Sequence, residues 1–251
     1  RDLTAHAAGP AAGVASAVLL AYDPEADSPE GYDDPDAVGQ AVAVLAGAAE
    51  RRPDLGNTYE RLGRAVQAHP SLFTDDVDAL LSVVEATEAS AAPTMKNELL
   101  NGVGAVAGEA PAALEPHVDR VAALLDGTVA PGNLATVTGI LGRVSMDHPA
   151  AVRPFVGDVL ALTTVESEVF RKNALGLLVG VARAESAPVL DARETVLDLL
   201  GRVDRDDLPS EWLDTLRELF GDAVDDPGRG IRTPDRLVDE LDSGAALEDS
   251  V

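Results

Sequence analysis

Five prolines recur along the chain at nearly constant spacing: Pro35, Pro70, Pro111, Pro149 and Pro188 lie 35, 41, 38 and 39 residues apart. This period constrains the fold more than any other feature. One supersecondary unit is used again and again, and it must bury its apolar face against copies of itself. Each proline opens a helical pattern, where its missing amide costs little. Counted from the proline, apolar residues return at offsets 3, 7, 10 and 11. They are Val38, Val42, Leu45 and Ala46; Phe73, Val77, Leu80 and Leu81; Leu114, Val118, Val121 and Ala122; and Val152, Val156, Val159 and Leu160. Such spacing marks one face of an α-helix. After Pro188 the pattern slips by one residue, through Ala192, Val196, Leu199 and Leu200.

A second helix follows each of these, centred on an apolar–glycine pair: Leu62-Gly63, Val103-Gly104, Leu141-Gly142, Val179-Gly180 and Phe220-Gly221. The glycines fall 41, 38, 38 and 41 residues apart. Glycine inside a helix costs roughly 1 kcal/mol relative to alanine, so its return in register points to close backbone approach between the paired helices. Asn57, Thr94 and Ser167 are the expected N-caps of second helices. No segment alternates with period two for long enough to form a strand.

A helix pair of this length, opened by a proline and carrying a basic residue eight positions before the second-helix glycine, resembles the HEAT repeat. Lys96 in Met95-Lys96-Asn97 and Lys172 in Arg171-Lys172-Asn173 supply that basic position, whereas Leu55, Leu134 and Leu213 depart from it. The resemblance implies an all-α fold, an α-solenoid or superhelix of about five to six antiparallel helix pairs. Its repeats would occupy about 35–69, 70–110, 111–148, 149–187 and 188–225. Residues 1–22 read as a partial N-terminal repeat or capping helix, and 23–34 as an acidic connector. Residues 226–251 read as a flexible acidic tail with a short helix, opened by Thr233-Pro234 and running through Leu241. The first residue is Arg1 and not Met, as expected where further residues precede it.

The surface implied by the composition is unusual. A net charge of −25 arises from 44 acidic and 19 basic residues, and Lys96 and Lys172 are the only lysines. With aromatics at 3%, this resembles proteins of salt-accumulating halophilic archaea. Self-repulsion of that size is screened once the Debye length shrinks to about 3 Å, near 1 M salt. Disorder, the other consequence of high net charge, is opposed by the in-register return of Ala, Val and Leu. The absence of cysteine removes disulfide and thiolate chemistry and fits a cytoplasmic location. No apolar run reaches the ~18 residues of a membrane span, so no membrane association is expected. Ala11 to Tyr22 has the hydropathy of a signal-peptide core, but it lacks a basic start and reads as a helix.

Candidate chemistry is sparse. Gly102, Gly104 and Gly108 have the wrong spacing for a dinucleotide loop and no strand before them. His69 and His148 precede repeat prolines, where they would face a helix C-terminal dipole, and no histidine pair has metal-ligand spacing. Asp23, Glu25 and Asp27, or Asp75, Asp76 and Asp78, read as solvated acidic surface. Neither catalytic residues nor cofactor nor metal is expected. Arg51-Arg52 and the group Arg229, Arg232 and Arg236 keep a nucleic-acid-associated alternative open against a repulsive overall field. An enzyme such as a HEAT-like lyase or DNA-repair glycosylase is the third reading.

Charge separates the two helices of the repeat. Over first helices, taken as 35–50, 71–88, 112–126, 150–163 and 189–204, the net charges are −2, −5, −2, 0 and −2, totalling −11. Over the first four second helices, 57–68, 94–108, 131–147 and 168–184, they are +1, 0, 0 and +2, totalling +3. In HEAT-like proteins the second helices tend to line the concave docking side, so the expected function is that of a protein-interaction scaffold or adaptor. Its expected partner is another protein with an acidic patch. The residues expected to contact it are Arg61, Arg64, Lys96, Asn97, Asn101, Arg143, Arg171, Lys172 and Asn173. For the basic residues the competing expectation is pairing with acidic residues of the same or the next repeat.

Overall fold

The computed structural model describes residues 35–49, 56–88, 93–125 and 131–225, and these are all-helical, with no strand among them. Segments 1–22, 23–34 and 226–251 lie outside the described residues, as do Arg51, Arg52 and the tail arginines. The second helices of the period are single elements: α2 (Gly56–Ala68), α4 (Pro93–Glu109), α7 (Pro131–Asp147), α10 (Glu168–Ala184) and α13 (Ser210–Phe220). Among the first helices only α1 (Pro35–Ala49) is continuous. In the next repeat a 3-10 segment, Pro70–Asp76, precedes α3 (Val77–Glu88). The third is α5 (Pro111–Leu114), a 3-10 turn at Glu115–His117, then α6 (Val118–Ala123). The fourth is α8 (Pro149–Val152), a turn at Arg153–Phe155, then α9 (Val156–Ala161). The fifth divides into α11 (Ala187–Asp191) and α12 (Arg193–Gly201).

The interruptions correct the expectation of unbroken first helices. Pro116 and Pro154 stand five residues after Pro111 and Pro149. A proline there has no amide for the i−4 carbonyl, and its ring crowds that carbonyl, so the helix tightens into a 3-10 turn and resumes beyond it. The apolar face survives the break. Of the residues singled out by their offsets, Val42, Leu45, Phe73, Val77, Leu80, Leu81, Leu114, Val118, Val121, Ala122, Val152, Val156, Val159, Val196, Leu199 and Leu200 are buried. Ala46, Leu160 and Ala192 are partly buried against them, and the Val38 side chain lies outside the described set. Each such aliphatic side chain contributes about 1.5–3 kcal/mol by leaving water.

One residue joins each repeat to the next. His69, Ala110 and His148 have closely similar φ/ψ, −137/60, −141/75 and −128/57. That region suits a residue before proline, which is excluded from the helical well. The amide of each closes the preceding second helix, bonding the carbonyls of Ala65, Val106 and Val144 at 3.0, 2.8 and 2.8 Å. The carbonyl of each opens the following helix, accepting from the amides of Leu72, Ala113 and Ala151 at 3.1, 3.0 and 3.1 Å. At the fifth repeat Glu185 takes the extended conformation, φ −147 and ψ 107, and α11 begins at Ala187. Pro188 is then the second residue of its helix, which ends at Asp191 before α12 begins at Arg193.

Second helices of successive repeats pack against one another, α2 on α4, α4 on α7, α7 on α10 and α10 on α13. The first-helix segments lie against this row: α3, α6 and α9 each touch the second helix that follows them, and α5, α8 and α11 the one before. Glycine sets the closeness of the row, and here the expectation of contact within a pair is corrected. A β-carbon on Gly63 of α2 would lie 2.4 Å from the carbonyl carbon of Glu98 on α4. On Gly180 of α10 it would lie 2.2 Å from Ser145 Oγ on α7. The close approach is therefore between repeats. Gly102 faces Gly63 and Val66 of α2 while Gly104 faces Arg143 of α7, so packing explains two of the three glycines of the loop-like run. Gly221 differs, ending α13 with φ +61.

Side-chain hydrogen bonds and ion pairs tie residues 32 to 42 positions apart, some between repeats and some within one. Arg120 on α6 grips both oxygens of Glu85 on α3 at 2.8 Å each and Asp78 Oδ1 at 2.6 Å. Arg202 donates to the Thr163 carbonyl at 3.3 Å, Arg153 pairs with Glu185, and His148 Nδ1 meets Glu115 Oε2 at 2.9 Å. The His148 imidazole thus engages a carboxylate at the start of its own repeat, beyond any interaction with a helix dipole. Among the expected caps Ser167 serves as one, its hydroxyl accepting from the Phe170 amide at 3.2 Å. Asn57 and Thr94 fall just inside helices that begin at Gly56 and Pro93.

Candidate docking groove on the second helices

The exposed side of the helix row forms a groove of about 690 Å³ that crosses all five second helices. Gly104, Gly139, Gly142 and Gly176 belong to its lining, and the space of their missing side chains is taken by Arg143, Asn173 and Trp212 from neighbouring helices. Gln67 stands at one end and Trp212 at the other. Between them lie Asn101, Ala105, Thr136, Arg143, Met146, Val169 and Asn173. Arg143 is the only charged side chain in that lining, and no carboxylate belongs to it.

The polar lining is held from the next helix over. Arg143 Nη1 donates to the Gly104 carbonyl at 3.1 Å, and Asn173 Nδ2 to the Ala135 carbonyl at 2.7 Å. Thr136 Oγ1 lies 3.4 Å from Asn101 Oδ1, and Gln67 Nε2 donates to Glu98 Oε2 at 2.8 Å. The apolar lining includes Val169, which is 61% exposed, the more exposed of the two large apolar side chains that face solvent among the described residues. The Trp212 indole rests over Gly176, where a β-carbon would come within 2.4 Å of Cη2. Arg183 reaches toward the rim, its Nη1 3.8 Å from Met146 Sδ.

The nine residues expected to face a partner divide. Asn101, Arg143 and Asn173 come together in the groove. Arg61 and Arg64 are exposed on α2, with Arg64 paired to Glu60, and neither lines the groove. Arg171 turns the other way and donates Nε to the Arg202 carbonyl at 3.2 Å. Lys172 realises the competing expectation: its ammonium bridges Asp207 at 2.6 Å, one repeat ahead, and Glu168 at 2.8 Å on its own helix. Those two hydrogen bonds, Asp207 first, hold its pKa above the ordinary lysine value. Asn97 is half-buried outside the groove lining, and the Lys96 side chain lies outside the described set. Gln67, Met146, Val169 and Trp212 were not legible as groove residues. The signal for Trp212 was its singularity, since the chain has one tryptophan.

The charge contrast persists within observed helix bounds. The second helices α2, α4, α7, α10 and α13 carry +1, −1, 0, +2 and −2, no net charge. First-helix segments 35–49, 70–88, 111–123, 149–161 and 187–201 carry −1, −5, −1, 0 and −2, which is −9 together. Among the described residues no helix is long and apolar enough to cross a membrane, and no group of three or more His, Asp or Glu could hold a metal. No protein-family model matches the chain, and comparison with curated proteins and with solved structures returned no match.

Proposed function

We propose that the chain is a HEAT-like solenoid of five to six helix pairs that serves as a non-enzymatic docking scaffold in a high-salt cytoplasm, taking a partner protein on the second-helix face. The observation that carries this reading is the groove without carboxylates in a protein of charge −25. A coat of acidic residues serving solubility alone would cover both solvent faces. The hydrogen bonds between successive repeats and the uninterrupted row of second helices support the solenoid, because in such an architecture each repeat touches its neighbours. A phosphate backbone would call for several cations along one groove, and the lining supplies Arg143 alone. A general acid or base would call for a titratable group in the lining, and it holds none.

The test is affinity capture from a halophilic lysate in about 3 M KCl, where exposed charges farther apart than a few ångströms are screened. The native chain, Arg143→Glu in the groove and Asp158→Lys on the exposed side of α9 are compared by mass spectrometry. Docking on the second helices predicts one protein retained by the native chain and Asp158→Lys and lost by Arg143→Glu. Equal retention by all three, or loss in Asp158→Lys alone, contradicts it.

A further inference from the structure

We propose that the occupant of the groove is an extended acidic segment of the partner, which places a carboxylate on Arg143 and a large apolar side chain against Val169 and Trp212. This rests on the docking reading and adds the chemistry of the ligand. Several cations elsewhere are held by carboxylates, Arg64 by Glu60, Arg120 by Glu85 and Asp78, Lys172 by Glu168 and Asp207, while Arg171, Arg183 and Arg205 meet a carbonyl, a thioether and a carbonyl and, unlike Arg143, do not line the groove. Arg143, in a chain where acids outnumber bases 44 to 19, has no carboxylate partner among the described residues and holds a single hydrogen bond to a backbone carbonyl. Its remaining guanidinium donors form a fork suited to one carboxylate. In molar salt such a contact works at hydrogen-bond range with little long-range attraction, so it fixes register while apolar contact supplies adhesion.

Helix spacing sets the ligand. Arg143 is on α7, Val169 on α10 and Trp212 on α13, three successive members of the row. Neighbouring helix axes lie about 8–10 Å apart, so the carboxylate and the far apolar contact are separated by roughly 16–20 Å. An extended chain covers that in about five or six residues at ~3.3 Å each.

Trp212 is the only tryptophan, so its emission reports the groove without a label. Full-length protein in about 3 M KCl is titrated with ten-residue peptides carrying a Glu pair and, five residues away in either direction, a Phe. Matched peptides carry Lys for Glu, or Ala for Phe. The expected result is a saturable shift of Trp212 emission with the Glu–Phe peptide and at least about tenfold weaker binding of both controls, the scale of one charge-assisted hydrogen bond. Arg143→Ala should weaken the Glu–Phe peptide by about tenfold. Val169→Asp, fold-neutral in the first turn of α10 where acids are tolerated, should do likewise while circular dichroism stays unchanged. Equal binding of Glu and Lys peptides, or indifference to Arg143→Ala, overturns the inference. If lysate capture nevertheless depends on Arg143, docking stands and only the ligand chemistry is wrong. A full-length variant with Asp239→Asn, Glu240→Gln and Asp242→Asn supplies the other occupant. A changed Trp212 emission without peptide would mean that the chain's own tail fills the groove, which also overturns the inference.

Discussion

Gly63 and Gly157 respond oppositely to the same substitution. A β-carbon on Gly63 would stand 2.4 Å from the Glu98 carbonyl carbon, 2.5 Å from its oxygen and 2.7 Å from the Leu99 nitrogen. All three are backbone atoms of α4, so no side-chain rotation relieves the contact. Carbon atoms pack best near 3.5–4.0 Å, so α2 must withdraw from α4 by about 1 Å. That motion opens the seam held by Leu62, Val66, Leu99 and Val103, all buried, and a radial gap of this size forfeits a quarter to a half of the dispersion across it. Overpacking of this kind costs about 1–3 kcal/mol, and its upper end applies where backbone must move. Alanine returns about 1 kcal/mol in helix propensity, leaving Gly63→Ala destabilised by about 2 kcal/mol. Gly157 on α9 is exposed with nothing within 4 Å of the added carbon. There only propensity acts, and Gly157→Ala gains about 0.5–1 kcal/mol. Urea denaturation followed by circular dichroism at fixed KCl measures both, with midpoints compared at unchanged slope. A Gly63→Ala midpoint at or above the native value would refute the between-repeat packing.

Ser167→Ala removes the one hydroxyl seen to cap α10 and should cost about 1 kcal/mol in the same urea experiment; a neutral result would mean that the cap is not formed in solution. Asp76 has its carboxyl raised above its ordinary 3.8, first by burial and then by the charge of Asp75. Its stabilising contribution is therefore present below pH 3.8 and lost as pH rises through the raised value. Asp76→Asn should accordingly melt higher than the native chain at pH 7, with the gap closing under acid; equal melting at pH 7 would contradict this. The melting temperature should rise steeply between about 0.1 and 3 M KCl as self-repulsion is screened, and a salt-independent value would remove the argument from net charge.

The period, the helical class and the buried faces were legible because they are local: proline register and apolar spacing determine which side of each helix avoids water. The partner of each glycine was not. Contact within a helix pair and contact between repeats give the same recurrence of Gly63, Gly104, Gly142 and Gly180, and only the phase of the row decides between them. The breaks at Pro116 and Pro154 were present in the sequence at a spacing of 38 residues, but the continuous apolar face masked them. Among the cations, Lys172 and Arg143 are alike in sequence. What separates them is that Asp207, one repeat ahead, lies opposite Lys172, whereas Arg143 faces glycine backbone. Trp212 was not legible because its slot exists only where Gly176, on the preceding second helix, meets it.

The central claim, that the second helices form the working face, is tested most directly by hydrogen exchange on the protein with and without the partner captured in molar KCl. Binding in the groove predicts added protection in peptides from α4, α7, α10 and α13, with α3, α6, α9 and α12 unchanged. Protection confined to those first-helix segments, with the groove helices exchanging as in the free chain, would contradict it.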